Sequence, residues 1–183
     1  MIGSGKTAIG KLLAQKLNWP FFDLDQEMDR ELGRSFHELV REQGWLAFRE
    51  LEYKICKRFS KADRAVVALG GGTVRYEWNT DILRGTGTMI LLESNLPTLA
   101  ARVRKADRPR VNPGVSLEED LERIWSSAAH LYRGGADIIY HVDQGKSVSE
   151  EAQDIYNLLQ AKKYSPQRAQ RTQRNNLSKG KRS

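Results

Sequence analysis

The chain begins with MIGSGKT, residues 1–7, and this short stretch decides which fold to expect. It ends in Gly5-Lys6-Thr7, which matches the right-hand end of the phosphate-binding pattern G-x-x-x-x-G-K-[ST]. Gly3 and Gly5 carry no Cβ, so backbone N–H groups are able to converge on phosphate oxygens. In such a loop, Lys6 is expected to contact the β- and γ-phosphates, and the Thr7 hydroxyl is expected to contact Mg²⁺.

The residues after this loop predict a helix. Apolar side chains recur at Ile9, Leu12, Leu13 and Leu17, a spacing typical of one helix face. The loop would then open the helix, whose N-terminal dipole favours anions. The first glycine of the pattern and the buried strand before it would lie upstream of Met1, so the sequence predicts one more strand there. The alternative is a Gly/Ser start before an ordinary helix.

The composition indicates one soluble globular domain. The chain has 183 residues, of which 39% are hydrophobic and 29% are charged, so it is long enough for a sizeable core. No apolar run approaches the length of a membrane span, and no secretory signal is visible. Cys56 is the only cysteine, which excludes an intrachain disulfide and a cysteine metal cluster. We therefore expect a cytoplasmic protein without a membrane partner.

The positive charge is concentrated at the C-terminal end of the sequence. The formal net charge is +7, and residues 162–183 contain eight basic residues and no acidic one. The remaining 22 basic and 23 acidic residues give residues 1–161 a net charge of −1. We therefore predict a globular domain over 1–161 and a disordered basic tail over 162–183, with no specific affinity for nucleic acid.

Strand and helix patterns alternate along the domain. This alternation predicts an α/β fold in which a parallel sheet is covered by helices on both faces. Gly44 is expected to loosen the longest helix. The predicted strands cover residues 19–25, 65–69, 88–93 and 137–142, and the predicted helices cover 8–17, 26–32, 35–59, 79–84, 97–105, 116–132 and 147–159.

Asp23 and Asp25 close the first predicted strand. Because they are two residues apart, both side chains would project from the same face of an extended backbone. The carboxyl ends of parallel strands face the crevice where such sheets bind ligands. We expect one acid to hold magnesium-bound water and the other to receive a hydroxyl proton. The alternative is a turn in which the acids cap a helix.

Two further patterns are candidates for the same crevice. Arg49 and Glu52 lie three residues apart in a predicted helix and are able to pair on one face, although an exposed surface pair is the ordinary interpretation. Gly70-Gly71-Gly72 directly follows a predicted strand. Three glycines contribute nothing to a core, so we expect them to let a ligand approach the backbone, with a plain loop as the alternative.

The segment 107–114 is predicted to be a mobile flap. It contains two prolines, a glycine, Arg108 and Arg110, and it lies between two predicted helices. A guanidinium on such a segment would be able to cover bound phosphates. The sequence Ser116-Leu117-Glu118-Glu119 has the form of a capping box, so the next helix is expected to begin there.

Together these motifs resemble the shikimate kinases. The similarity covers about residues 1–160, and the order and spacing of six motifs carry it. The resemblance implies a P-loop kinase fold and ATP-dependent phosphorylation of the 3-hydroxyl of shikimate, in the pathway to chorismate and the aromatic amino acids. The motifs are the loop ending in Gly5-Lys6-Thr7, Asp23-x-Asp25, Phe48-Arg49-x-x-Glu52, Gly70-Gly71-Gly72, Arg108-Pro109 and Leu131-Tyr132.

The resemblance also implies a role for each motif. ATP phosphates would bind to Lys6 and Arg108, and Mg²⁺ would be held by Thr7 and, through water, by Asp23. Asp25 would bind the shikimate hydroxyls and act as the candidate base. The implied catalytic residues are Lys6, Asp25 and Arg108; the implied nucleotide-binding residues are Gly3, Ser4, Gly5, Lys6, Thr7, Ala8 and Arg108; and the implied substrate-binding residues are Asp25, Arg49, Gly70, Gly71 and Gly72.

The carboxylate-binding part of the pattern is incomplete. The resemblance implies that Arg49 pairs with the shikimate carboxylate and that Glu52 orients it. The family carries a second carboxylate-binding arginine four residues before the tyrosine of the Leu-Tyr pair, and here that position is Ala128. Losing one of two arginines should cost about 2–4 kcal/mol of substrate binding. Arg123 and Arg133 are the candidates that would compensate.

Two alternatives therefore remain open beside a shikimate kinase. One is a related small-molecule kinase whose substrate lacks the carboxylate, and the other is a non-catalytic domain that keeps the fold as a sensor. Ala128 favours either of them. The residues assigned to phosphate, metal and base argue against the sensor, because a domain that only binds does not need them all. We expect a monomer.

Overall fold

The structure is a computed structural model, and it describes residues 1–104, 112 and 114–163. Each helix and strand predicted within residues 1–161 has a counterpart there, with ends displaced by a few residues. A short 3₁₀ turn over Thr73–Arg75 was not predicted. In chain order the elements are α1 (Lys6–Leu17), β1 (Phe21–Asp23), α2 (Leu24–Leu32), α3 (Phe36–Phe59), β2 (Val66–Ala68), the 3₁₀ turn, α4 (Glu77–Leu83), β3 (Ile90–Glu93), α5 (Leu96–Val103), α6 (Leu117–Gly134), β4 (Ile138–His141) and α7 (Val148–Lys163).

The strands pair in parallel, as predicted. β1 pairs with β2, so that Phe21 lies opposite Val66, and β3 pairs with β4, so that Ile90 lies opposite Ile138. The described strands thus form two two-stranded parts rather than one continuous sheet, because no described strand links β2 to β3 by hydrogen bonds.

Helices cover both faces of these strands. Neighbouring residues of a strand point to opposite faces. In β3, Leu92 packs in a cluster with α1 and α7, whereas Leu91 packs in a cluster with α5 and α6. In β2, Val66 joins the first of these clusters, whereas Val67 packs against α2, α3 and α4. Because the α1 and α7 cluster contains side chains from both β2 and β3, it joins the two parts of the sheet on one face.

Local sequence sets several element boundaries. The Ser35 and Ser116 side chains accept hydrogen bonds from the N–H groups of His37 and Glu119, so each serine caps a helix, and the cap at Ser116 is the one that the sequence predicts. Inside α3, Gly44 has φ 81° and ψ −179°, which interrupts the helix at the predicted place. The kink turns the second half of α3, which carries Arg49 and Glu52, relative to the first half.

Parts of two predicted segments lie outside the described residues. They are most of the flap, including Arg108, and residues 164–183 of the tail. Among the described helices, none combines the length and the apolar character that crossing a membrane would need. Cys56 is fully buried in the cluster of α2, α3 and α4, where burial raises the pKa of its thiol to about 12.

Candidate active site

The phosphate loop adopts a conformation that depends on its two glycines. Gly3 has φ 76° and Gly5 has φ 88°, both in the left-handed region that favours glycine. Ser4 is buried, and its hydroxyl donates a hydrogen bond to the Met1 carbonyl at 2.9 Å. The Lys6 ammonium donates to the same carbonyl at 2.5 Å. The side chain of Ser4 therefore supports the loop from within.

The loop leads directly into α1, as predicted. Gly5 is the N-cap residue, and the N–H of Ile9 donates to the Gly5 carbonyl at 2.9 Å. The N–H groups of Lys6, Thr7 and Ala8 belong to the first turn, where the helix itself supplies no acceptor. These groups and the positive end of the helix dipole together suit a phosphate.

Thr7 lies beside the end of β1. Its hydroxyl donates to Oδ2 of Asp23 at 2.7 Å, so a hydroxyl oxygen and a carboxylate meet at the mouth of the phosphate loop. Hard oxygen ligands of this kind suit Mg²⁺, which proteins commonly hold through one or two side chains together with substrate phosphates. The donor set therefore fits the predicted metal.

The placement of Asp25 differs from the prediction. β1 ends at Asp23, whose Oδ1 accepts a hydrogen bond from the N–H of Asp25 at 3.2 Å. Asp23 is thus the N-cap of α2, and Asp25 lies in the first helical turn instead of on an extended strand. The two carboxylates therefore lie in different parts of the site. Asp23 contacts Thr7, whereas Asp25 lines the neighbouring pocket.

That pocket has a volume of about 460 Å³ and opens beside the phosphate loop. Ile2 of the loop, Asp25 of α2 and Arg49 of α3 line it, together with residues 70–72 that follow β2. The structure therefore brings the candidate base, the candidate carboxylate-binding arginine and the triple glycine into one cavity, although they are far apart in the sequence.

Arg49 is held at the pocket wall with little freedom to move. Its side chain is only 11% exposed, and Nη1 donates to Oε2 of Glu52 at 2.7 Å, so the interpretation as an exposed surface pair is wrong. The guanidinium lies 4.4 Å from the ring centre of Tyr76, 4.7 Å from that of Phe48 and 5.5 Å from that of Trp45. Its Nε is buried and has no hydrogen-bond partner in the described part of the chain.

Glu52 is the buried partner of Arg49 in this wall, and it is only 1% exposed. Besides the bond from Arg49, it accepts hydrogen bonds from the Thr73 hydroxyl at 2.7 Å and from the Asn79 amide at 3.2 Å. Neither Thr73 nor Asn79 was singled out in the sequence, where they lie 21 and 27 residues beyond Glu52. No local spacing pattern could have identified them.

The triple glycine lets pocket side chains approach the backbone. A Cβ at Gly70 would lie 3.0 Å from Oδ1 of Asp25, and a Cβ at Gly72 would lie 3.3 Å from Nη2 of Arg49. Both distances are tighter than ordinary van der Waals contact. The sequence predicts that glycines are needed here so that another group can come close to the backbone. In the structure, the groups that come close are side chains of the pocket, which a larger residue would displace.

Known protein families include one whose pattern matches this chain. The family model described as shikimate kinase matches residues 2–160. The chain belongs to the shikimate kinase family. It is 35% identical over 168 residues to a shikimate kinase of Chlorobium luteolum, with 86% of this chain and 83% of that protein covered. It is 44% identical over 127 residues to a shikimate kinase of Chloroherpeton thalassium, with 66% of this chain and 67% of that protein covered.

A solved structure of the family supports the same assignment. The shikimate kinase from Acinetobacter baumannii in complex with shikimate superposes with a TM-score of 0.83 at 26% sequence identity. The match covers 90% of this chain and 91% of that chain. The P-loop kinase fold predicted from the sequence is confirmed, and ATP is the phosphate donor of enzymes in this family.

The departure from the shikimate kinase pattern at Ala128 lies in the core. Ala128 is 3% exposed in α6, one helical turn before Tyr132, and both belong to one hydrophobic cluster. The Tyr132 hydroxyl donates to the Gly71 carbonyl at 2.7 Å and thereby ties α6 to the triple glycine. Burial raises the pKa of Tyr132 to about 12, against the opposing effect of Arg75 and Arg49, so the phenol remains protonated at neutral pH.

The two arginines proposed to compensate for Ala128 are engaged elsewhere. Arg133 donates to both carboxylate oxygens of Glu93, at 3.1 and 2.6 Å, and this hydrogen bonding lowers the pKa of Glu93. Arg123 donates to Glu119 at 2.6 Å on the exposed face of α6. Neither of them lines the substrate pocket.

Arg75 is a pocket residue that the sequence analysis missed. It ends the 3₁₀ turn that follows the triple glycine, and it lines the same cavity as Arg49. The available sequence feature was its position three residues after Gly72. This position indicates a pocket residue only when the turn is known to fold back onto the pocket.

Proposed function

We propose that this chain transfers the γ-phosphoryl group of ATP to the 3-hydroxyl of shikimate. The observation that carries the proposal is the single pocket in which Asp25 and Arg49 lie beside the phosphate loop. A substrate with hydroxyl groups at one end and a carboxylate at the other would find a base at the first end and a guanidinium at the second. Family membership supports the same reaction.

The phosphate loop would bind the nucleotide. The first-turn N–H groups of Lys6, Thr7 and Ala8, with the amides of Gly3, Ser4 and Gly5, would hold phosphate oxygens, and the Lys6 ammonium would neutralise charge on the transferred group. Thr7, with Asp23 through water, would hold Mg²⁺, which when bound neutralises phosphate charge and orients the triphosphate. Arg108 lies outside the described residues, and its role over the phosphates stays a prediction from the sequence.

Asp25 would act on the substrate hydroxyl. Its carboxylate would accept the proton of the 3-hydroxyl as that oxygen bonds to the γ-phosphorus, while the bond from phosphorus to the bridging oxygen breaks and releases ADP. The residues Gly70, Gly71 and Gly72 would face the ring of shikimate. Arg49, fixed by Glu52, would bind the carboxylate and hold the hydroxyl in reach of Asp25.

The remaining expectations form part of the same proposal. Residues 1–161 would constitute the catalytic domain and 162–183 a tail outside it. The protein would act as a cytoplasmic monomer, without a membrane partner and without specific binding to nucleic acid. The net charge of −1 over residues 1–161 supports the last of these expectations, because a domain that binds nucleic acid usually carries a positive charge.

The test is product formation by purified protein with ATP, Mg²⁺ and shikimate, measured as ADP release and as shikimate 3-phosphate by mass spectrometry. We expect Lys6→Met to reduce kcat by about 100-fold or more, since it removes a cation that acts on developing phosphate charge. Lys11→Met is the matched control, because Lys11 is exposed one turn farther along α1. A Lys6→Met protein with the parent's kcat would contradict the assignment of the phosphate loop.

The two alternatives predict different results in the same assay. A kinase with another substrate would leave shikimate unphosphorylated but would consume ATP when supplied with a hydroxyl compound that lacks a carboxylate. A sensor would bind ATP or shikimate in calorimetry without turnover of either. Phosphorylation of shikimate that requires Lys6 but not Lys11 would exclude both alternatives.

A further inference from the structure

Besides Arg49 and Arg104, the substrate pocket contains a guanidinium whose purpose the proposed roles do not explain. Arg49 is paired with Glu52, and Arg104, which also lines the pocket, is paired with Glu118. Arg75 lines the pocket and is half-buried, and its side chain has no ion pair or hydrogen bond among residues 1–104, 112 and 114–163.

Arg75 and Arg49 line the same pocket, and the turn that carries Arg75 lies close to the Arg49 guanidinium. Gly72, three residues before Arg75, lies against the Arg49 guanidinium, so close that a Cβ there would be 3.3 Å from Nη2. Both arginines also act electrostatically on the Tyr132 hydroxyl, which marks them as neighbours of one point on the pocket wall. Two guanidinium cations facing one partly desolvated site repel each other, and an anion bound between them removes that cost.

Arg75 belongs to a turn that packs against α6, the helix that lacks an arginine at position 128. Val74, its neighbour in the 3₁₀ turn, packs against the cluster that contains Ala128 and Tyr132. Tyr132 in turn donates to the Gly71 carbonyl, immediately before Gly72. The 3₁₀ turn therefore packs against the cluster to which Ala128 of α6 belongs, and the turn carries an arginine that lines the pocket.

We propose that Arg75 is the second guanidinium that binds the carboxylate of the substrate, in place of the arginine that α6 lacks at position 128. This inference rests on the proposed function, because it takes shikimate as the carboxylate-bearing substrate. Arg75 and Arg49 together make a specificity site for a carboxylate, with Arg49 fixed by Glu52 and Arg75 free of any such pairing in the described structure until the anion binds.

The test compares shikimate with its methyl ester, which keeps the hydroxyl groups and removes the negative charge. We expect Arg75→Met to raise KM for shikimate by about tenfold or more, as the loss of a charge-assisted contact implies, and to leave KM for ATP within about twofold. The preference of the parent for shikimate over the ester, as a ratio of kcat/KM, should fall by a similar factor. Arg75→Lys, which keeps a point charge without the fork, should lie between the two.

Arg84→Met is the matched control, because Arg84 is exposed at the end of α4 and does not line the pocket. Thermal unfolding of each variant identifies any loss of folded protein. An unchanged preference for shikimate over the ester in folded Arg75→Met, in a parent that phosphorylates shikimate, would overturn the role of Arg75 alone. A parent that phosphorylates no shikimate would instead overturn the proposed function, and this inference with it.

Discussion

The pocket depends on one acidic side chain that no ligand is expected to touch. Glu52 is buried behind Arg49 and accepts hydrogen bonds from three side chains. A buried carboxylate is costly unless it is paired and hydrogen-bonded, and Glu52 has both kinds of partner. It therefore acts as a positioning residue that fixes the direction of the Arg49 guanidinium and connects it to the turn that carries Thr73.

We predict that Glu52→Gln lowers the free energy of unfolding by about 3 kcal/mol, because it leaves the buried Arg49 cation without its anion. It should also raise KM for shikimate more than it lowers kcat, since Arg49 loses its fixed orientation. Urea unfolding and steady-state kinetics measure the two effects. Glu50→Gln is the control, because Glu50 is exposed two residues away on the same helix. Equal unfolding free energies for the two variants would contradict the buried role of Glu52.

At the level of single residues, the sequence predicted which side chains interact better than it predicted how deeply they are buried. The three-residue spacing of Arg49 and Glu52 indicated that they can pair, and they do. It did not indicate burial, because Thr73 and Asn79 come from a distant turn and helix. Burial depends on which elements pack together, and the spacing of two residues in one helix carries no information about that.

At the scale of elements, the kink in α3 is the feature that most directly shapes the pocket. Gly44 has φ 81° and ψ −179°, a conformation that is essentially restricted to glycine. The residues that follow the kink include Trp45, Phe48 and Arg49, which line the pocket together. A straight helix through residue 44 would carry these three side chains in a different direction.

We expect Gly44→Ala to lower the free energy of unfolding by about 1–3 kcal/mol, because an L-residue is strained at this φ and ψ. Gly134→Ala is the matched control, since a Cβ at either glycine meets no atom within 4 Å but Gly134 lies in helix α6 with no left-handed φ. The control should be neutral or slightly stabilising. Chemical denaturation measures both, and a Gly44→Ala protein as stable as the parent would show that the kink can relax without cost.

Element types were predictable from periodicity, but two details of the elements were not. The first predicted strand was drawn through Asp25, whereas β1 ends at Asp23 because that side chain caps α2. The 3₁₀ turn over Thr73–Arg75 is too short to have a period of its own. In both cases the local conformation is set by a hydrogen bond or a packing contact. The spacing of residues in the sequence does not reveal such a contact.

At the scale of the whole molecule, the described residues form three hydrophobic clusters and the pocket that contains Asp25 and Arg49. The cluster of α1, β3 and α7 includes Ala152 and Ile155, both essentially buried, so α7 is part of the folded body. The described residues that line the substrate pocket run from Met1 to Tyr132. Parallel pairing and two helical layers followed from the alternation of patterns, whereas the division of the sheet into two parts did not.

These observations predict that removing residues 164–183 leaves catalysis unchanged. The truncation keeps α7 intact, and it removes six basic residues and no acidic one, so the formal net charge falls from +7 to +1. A charge change of this kind acts at long range and is screened by salt, so any effect belongs to KM for ATP at low ionic strength. At about 0.15 M salt we expect kcat within about threefold of the parent and an unchanged Tm. A larger fall in kcat, approaching 1 kcal/mol in activation free energy or beyond, would place part of the tail in the active site.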